Sequence, residues 1–329
     1  MTVNIVEQVA LKIKRQGKKR AEYSDKRTCS RDIFLSGKQY VGVCRGALGE
    51  LFQGPALHVE NEIAIISSLI PKYSWAYFSP SSTSEENTQK YYESLRQNHL
   101  HRKSIIALDH YCNLHNVALP DGHWEFSSQL QVARGMASST ADIVAILRCA
   151  AKYFNRTLTI HEILIILSKI ERSDSVFLNE LALFCSSRHE IIQQFNHIPP
   201  LYALYIHEDE TVCTDNTKSI LNNFYEKNRH SYKDLYRDVV RSFNSKDIKT
   251  ICQLSSQSAE LSQGIFPKQY FSSLVNEMKS FNADGIIVAH TGSVIGYLFC
   301  ERPGIQLLEE VSMFFKSLQG NCQFTEING

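Results

Sequence analysis

The chain has 329 residues, 43% of them hydrophobic and 21% charged, a composition that excludes a disordered polymer and suits one large domain or two ordinary ones. Its 35 Lys and Arg stand against 34 Asp and Glu, so its overall balance gives no sign of a nucleic-acid partner. No stretch reaches the roughly 20 apolar residues needed to cross a bilayer, which argues against a membrane partner. The nine cysteines contain no CxxC pair, which fits free thiols in a reducing, cytoplasmic setting.

Charge is uneven at the start. Residues 1–31 carry nine Lys or Arg and three acidic residues, which reads as a basic, solvated N-terminal extension over residues 1–36 or as a binding arm. "QYVGVCRGALGELFQG" is expected to begin as a strand and to break into a glycine-rich loop at Gly46 and Gly49. "NEIAIISSLI" and "YSWAYF" read as two strands separated by a turn at Pro71. After the polar "SPSSTSEENTQ", a helical stretch is expected from Lys90 to His115, then a turn at Asp121-Gly122 and a strand in "HWEFSSQLQV".

Apolar residues at Ile143, Val144, Ile146, Leu147 and Ala150 predict a helix over 140–154. A second is expected over 161–170 with Thr159 as its cap, and a third over 177–195. Pro199-Pro200 marks an internal boundary. Beyond it the pattern predicts a strand in "LYALYI", helices at 215–228, 231–242, 246–262 and 268–281, strands "DGIIVAH" and "VIGYLFC", and a last helix over 305–317. Helices and strands mix in both halves, so the expected class is α+β with two packed layers per domain.

The chemistry-bearing signal is "ARGMASSTADI" at 133–143. Gly135 lets the backbone approach a ligand. Ala137, Ser138, Ser139 and Thr140 fall at the start of the helix, where free N–H groups and the positive end of the helix dipole favour phosphate. Ordinary capping by Ser and Thr is the alternative on spacing alone. The chain has no GxxxxGK[ST], no GxGxxG and no kinase HRD/DFG set. Two further small-residue loops stand in "CRGALGELFQG" and "VAHTGSVIGYL".

In order, "LGELFQG" at 48–54, "ARGMASSTAD" at 133–142, "ERSD" at 171–174 and "AHTGS" at 289–293 resemble the motif set of the GHMP kinases. The nearest resemblance is to their L-threonine kinase branch, which serves assembly of the cobalamin nucleotide loop. The resemblance implies a two-domain fold: a ribosomal protein S5 domain 2-like, ATP-binding N-terminal domain over 37–198, and a ferredoxin-like C-terminal α/β sandwich over 199–329. It implies ATP and Mg2+ as cofactors. It places Arg134, Gly135, Met136, Ala137, Ser138 and Ser139 around the phosphates, Ser139 and Glu171 on the metal, and Asp174 as the catalytic carboxylate on the acceptor hydroxyl. Glu50, Gln53, Arg172, Thr291 and Gly292 would border the substrate, with Glu50 suited to an ammonium group.

On the residues alone, Glu171 and Asp174 also read as carboxylates facing water, on one side of a helix if that segment is helical. Met136 is expected to pack under the loop. Asp142 either favours the positive helix end or positions substrate. His290 reads as a buried, hydrogen-bonded histidine, with a catalytic role as the alternative, and Ser68 and Pro71 read as structural, with a Ser68 hydroxyl facing the pocket as the alternative. Departures from the family pattern are Arg134 for Lys, Arg45 and Arg172 for Pro, and Leu48 for Cys. The implied reaction is phosphorylation of L-threonine at its hydroxyl. Serine, homoserine or a specialised-metabolite precursor are alternative acceptors, and a non-catalytic nucleotide-binding module is the competing class. The resemblance leaves room for a homodimer and for a partner contact through the basic arm.

Overall fold

A computed structural model of the chain describes residues 38–81, 85–208 and 217–328. The basic extension expected over 1–36 lies outside the described residues. The strands are β1 (Tyr40–Pro55), β2 (Ile63–Pro80), β3 (Gly122–Ser128), β4 (Leu181–Cys185), β5 (Glu190–Phe195), β6 (Leu201–His207), β7 (Gly285–Val288), β8 (Val294–Phe299) and β9 (Gln323–Ile327). The helices are α1 (Glu85–Gln97), α2 (Arg102–His115), α3 (Ser138–Tyr153), α4 (Ile160–Leu167), α5 (Thr217–Lys227), α6 (Arg229–Ser245), α7 (Ile248–Ser262), α8 (Phe271–Glu277) and α9 (Ile305–Ser317). One sheet runs in the order β5-β4-β2-β1-β7-β8-β6-β9, with β3 added to β2. Its recorded pairings are antiparallel.

β2 is rich in β-branched and aromatic residues, and the irregularities of its long pairing with β1 are absorbed as bulges. Arg45 faces Tyr73 and Gly46 faces Ile70, so Pro71 and Lys72 bulge out of the ladder. The turn expected at Pro71 is therefore a bulge inside one strand, where a missing N–H costs no ladder bond. β1 likewise continues through Gly46 and Gly49. Gly49 sits at φ +64, and a Cβ there would stand 2.4 Å from Val288 O, so glycine is what lets β7 approach β1.

Other expectations shift for identifiable reasons. The single helix expected over 90–115 is two, α1 and α2, interrupted where the Asn98 side chain accepts from Leu100 N–H at 3.0 Å, a local bond that competes with helix continuation. The helix expected over 177–195 is the β4–β5 hairpin instead. Leu181 to Cys185 is a fully buried run, and periodicity cannot separate a short buried strand from a buried helix. β9 carried no sequence expectation. α4 begins at the expected Thr159, which forms a reciprocal capping box with Glu162.

α3 is the central helix. It is buried almost all round, from Thr140 to Ala151, as befits a helix enclosed by α2 and the β1–β2 pair. Arg148 ties it to Val43 O (2.8 Å) and Phe177 O (2.9 Å). Close approach to β1 depends on Gly42, whose added Cβ would lie 1.9 Å from Ala145 O. The seven cysteines among the described residues are free, and no helix there is long and apolar enough to cross a membrane. Gly42→Ala is expected to push α3 from the sheet and cost about 1–3 kcal/mol, read as a lower midpoint in urea; an unchanged midpoint would refute the close packing.

Candidate active site

Three backbone segments meet at the start of α3. Ala47 N–H donates to Met136 O (3.1 Å), Gly49 N–H to Gly135 O (2.9 Å) and Ser293 N–H to Arg134 O (3.2 Å). Side chains would prevent this stitching. A Cβ on Gly135 would stand 2.2 Å from the Ala289 Cβ, and one on Gly292 would stand 2.5 Å from Gly135 N. Gly135 is also left-handed at φ +82, where glycine is the residue at ease.

The chain then enters α3 through Ala137, a left-handed N-cap at φ 54 and ψ 30 whose side chain makes no cap hydrogen bond. Side chains therefore leave the first-turn N–H groups to the cleft. That cleft, of about 600 Å³, is lined by Gly135 to Thr140 together with Lys103, Glu171, Arg172, Asp174 and Thr291. An uncapped helix start edged by two serines, above a cradle that a Cβ would fill, fits a phosphate chain.

Asp174 faces this helix start from the loop after α4. That loop is not helical; it is held by Asp174 N–H donating to Thr140 Oγ1 (3.3 Å), Ser173 N–H donating to Ser186 O (3.3 Å), and His189 Nε2 at 2.8 Å from Glu171 O. Ser67 Oγ donates to Asp174 Oδ1 at 2.9 Å. Ser67 is the cross-strand partner of Glu50, so the two carboxylates are neighbours. Burial, above all, and then the charge of Glu50 push the Asp174 carboxyl up to about 7, against the Ser67 hydrogen bond.

Glu50 is buried, and its Oε2 accepts from His290 N–H (2.9 Å) and lies 3.0 Å from His290 Nδ1. His290 Nε2 is 3.2 Å from Ser258 Oγ, which also accepts from Gln53 N–H at 3.1 Å. The Gln53 amide donates to the Tyr225 hydroxyl at 2.9 Å. Glu50 is thus buried near Asp174 and Gln53 is buried against Ser258 and Tyr225; neither is on the cleft wall, whereas Arg172 and Thr291 are. His290 is the buried, bonded residue that its sequence setting suggests.

The remaining predicted residues divide clearly. Gly135, Met136, Ala137, Ser138, Ser139, Glu171, Arg172, Asp174 and Thr291 come together in one cleft. Gly292 is packed on Gly135, and Met136 is buried under the loop as expected. The Arg134 guanidinium points elsewhere, donating to Glu208 O (2.6 Å) and Ser293 Oγ (3.3 Å), where it fastens the third loop. Arg45 donates to the carbonyls of Leu178 and Asn179, a structural tie. Asp142 accepts from Ser74 Oγ and is pushed up to about 6 chiefly by burial. It lines a smaller cavity of about 150 Å³ shared with His99, Leu100, Lys103, Val132, Ser138 and Ser139.

Sequence reasoning did not find Ser67, Lys103, His189, Ser258 or Tyr225. Each reaches the site through pairing distant in the chain, and no local motif surrounds them. Lys103 is ion-paired with Glu171 Oε2, while Glu171 Oε1 is buried without a hydrogen-bond partner. A bare buried carboxylate oxygen in the cleft that Ser139 also lines is the kind of donor a hard divalent cation takes. Among the described residues no cluster of three or more His, Cys, Asp or Glu side chains is arranged to hold a metal, so phosphate and water oxygens would complete such a site.

Residues 99–178 match the model of the GHMP kinases N terminal domain. The chain is 26% identical over 189 residues to an L-threonine kinase of Citrobacter freundii, covering 54% of this chain and 66% of that protein. It is 25% identical over 183 residues to an L-threonine kinase of Salmonella typhimurium, covering 54% and 61%. The match thus takes in somewhat under two thirds of each relative's length. A crystal structure of mevalonate kinase shares the fold, with a TM-score of 0.68 at 12% identity over 88% of this chain and 99% of that one. The α+β architecture is consistent with that of GHMP kinases.

Because the folded protein holds the Asp174 proton up to about 7 against an ordinary 3.8, ionising it on folding is unfavourable. Stability on this account falls as pH rises from about 4 through about 7 and is level above. Asp174→Asn is therefore expected to melt at a higher temperature than the parent at pH 8, with the gap closing toward pH 4. A variant that melts lower at every pH would contradict the environment described.

Proposed function

We propose that the chain is an ATP-dependent kinase that phosphorylates the side-chain hydroxyl of a small amino acid, with L-threonine the leading acceptor. The observation that carries this reading is the pairing across one cleft of an uncapped, glycine-cradled helix start with a half-buried carboxylate whose proton affinity lies near neutrality. The threonine assignment draws on the two L-threonine kinases that the chain resembles. Residues 37–198 would form the S5 domain 2-like, ATP-binding half and 199–329 the ferredoxin-like half.

In this mechanism the N–H groups of Ser138 and Ser139 and the cradle at Gly135 hold the phosphates. The cavity between Leu100 and Val132, which shares both serines, takes the nucleoside. Ser139 and Glu171 would hold Mg2+, which when bound would supply charge neutralisation for the phosphates. Asp174 accepts or orients the proton of the acceptor hydroxyl, a role for which a carboxylate near pH 7 is well matched. Ser67 fixes the rotamer of that carboxylate through Oδ1. Arg172, on the cleft wall and felt electrostatically by Asp174, pairs with the amino-acid carboxylate. Glu50, buried beside Asp174 and engaged by His290, supplies negative charge toward the ammonium.

An ADP-release assay over a panel of hydroxy amino acids, with mass detection of the product, tests the reading. L-Threonine is expected to give the O-phosphate; if no member of the panel is phosphorylated while ATP still binds, a non-catalytic nucleotide-binding module replaces the kinase. Asp174→Asn is expected to lower kcat by about 10²–10⁴ with nucleotide affinity unchanged. The parent's kcat/KM should rise with pH through about 7, because below it Asp174 is protonated and cannot accept. A profile flat from pH 5 to 9 would remove Asp174 from the proton transfer.

A further inference from the structure

The ion pair at the mouth of the cleft has a consequence that rests on the Mg-ATP reading above. Lys103 is the second residue of α2, and its side chain is 52% exposed against 18% for Glu171. Its ammonium pairs with Glu171 Oε2, and the other oxygen, Oε1, is buried with no hydrogen-bond partner. The backbone carbonyl of Glu171 is held by His189 Nε2 at 2.8 Å, so the main chain that carries the carboxylate is anchored, while the half-exposed lysine stem has solvent to turn into. Lys103 lines both the main cleft and the smaller cavity, beside Ser138 and Ser139 in each.

A carboxylate with one bare buried oxygen and one oxygen on a solvent-reachable ammonium is a cation seat half filled by the protein itself. An ammonium and a divalent cation repel one another and do not share such a seat favourably. The ammonium is a compact charge on a flexible four-carbon stem, and phosphate is a partner it can reach by rotation about that stem.

We propose that Lys103 is an exchangeable countercharge. In the nucleotide-free protein it neutralises Glu171, and on loading with Mg-ATP it leaves Glu171 to the metal and pairs with phosphate oxygens. Lys103 thereby keeps the free protein from binding a divalent cation before nucleotide arrives. It strengthens nucleotide binding once the cation is in place. One residue therefore acts in opposite directions on two ligands.

The test uses the full chain with Lys103→Met, which keeps the apolar stem, and Lys103→Arg, which keeps the charge. Mn2+ binding is read by electron paramagnetic resonance without nucleotide, and ATP binding by calorimetry with Mg2+ present. Lys103→Met is expected to bind Mn2+ about tenfold more tightly and ATP about tenfold more weakly than the parent, the size of one charge-assisted contact. Lys103→Arg should bind both as the parent does. Circular dichroism and melting curves confirm that each variant folds. The proposal stands if the Met variant moves the two affinities in opposite directions; any other pattern, including parallel loss of both, overturns it. A parent that binds no Mg-ATP overturns the site reading, whereas a parent that binds it beside an unresponsive Met variant overturns the Lys103 proposal alone.

Discussion

The site depends on one steric constraint, the contact of three backbones at Gly49, Gly135 and Gly292. Gly49 lets β7 close on β1, and Gly292 rests against Gly135 with no space for a Cβ on either. Hydrogen bonds from Ala47, Gly49 and Ser293 to the segment 134–136 then fix the direction in which the chain enters α3. The buried length of α3 against β1 and β2 anchors the other side of that entry. A helix start held in place this way presents its N–H groups without reorganisation, which is what makes them useful to an anion.

Around that positive helix end the fold gathers negative charge. Asp174, Glu50, Glu171 and Asp142 all lie within electrostatic reach of a neighbour in the group, and two of them are pushed well up by burial. Carboxylates assembled this closely oppose folding unless partners offset them. The offsets are specific: Ser67 on Asp174, Ser74 on Asp142, His290 on Glu50 and Lys103 on Glu171. The arrangement leaves the Asp174 carboxyl able to exchange a proton near neutrality opposite the positive start of α3.

Much of this was legible in the sequence, for local reasons. "ARGMASSTADI" announces a helix start by composition, and α3 runs from Ser138 to Tyr153 as the apolar spacing implies. Thr159 caps α4 because the capping signal is complete within four residues. The errors have a common cause in tertiary context. Leu181 to Cys185 reads equally well as helix or strand until β2 is known to be its neighbour. Pro71 reads as a turn until the register of β1 shows the ladder already broken there. Arg134 reads as a phosphate-side charge, yet its guanidinium reaches Glu208 O across the fold. Ser67, Lys103 and His189 had no signal at all, since their partners lie far away in sequence.

A crystal structure with Mg2+ and a non-hydrolysable ATP analogue tests the central claim most directly, because it locates the phosphates. The account predicts phosphate oxygens within hydrogen-bonding distance of the N–H groups of Ser138 and Ser139, with Asp174 across the cleft from the terminal phosphate. An analogue seated elsewhere, with the start of α3 making no contact to it, would contradict the account.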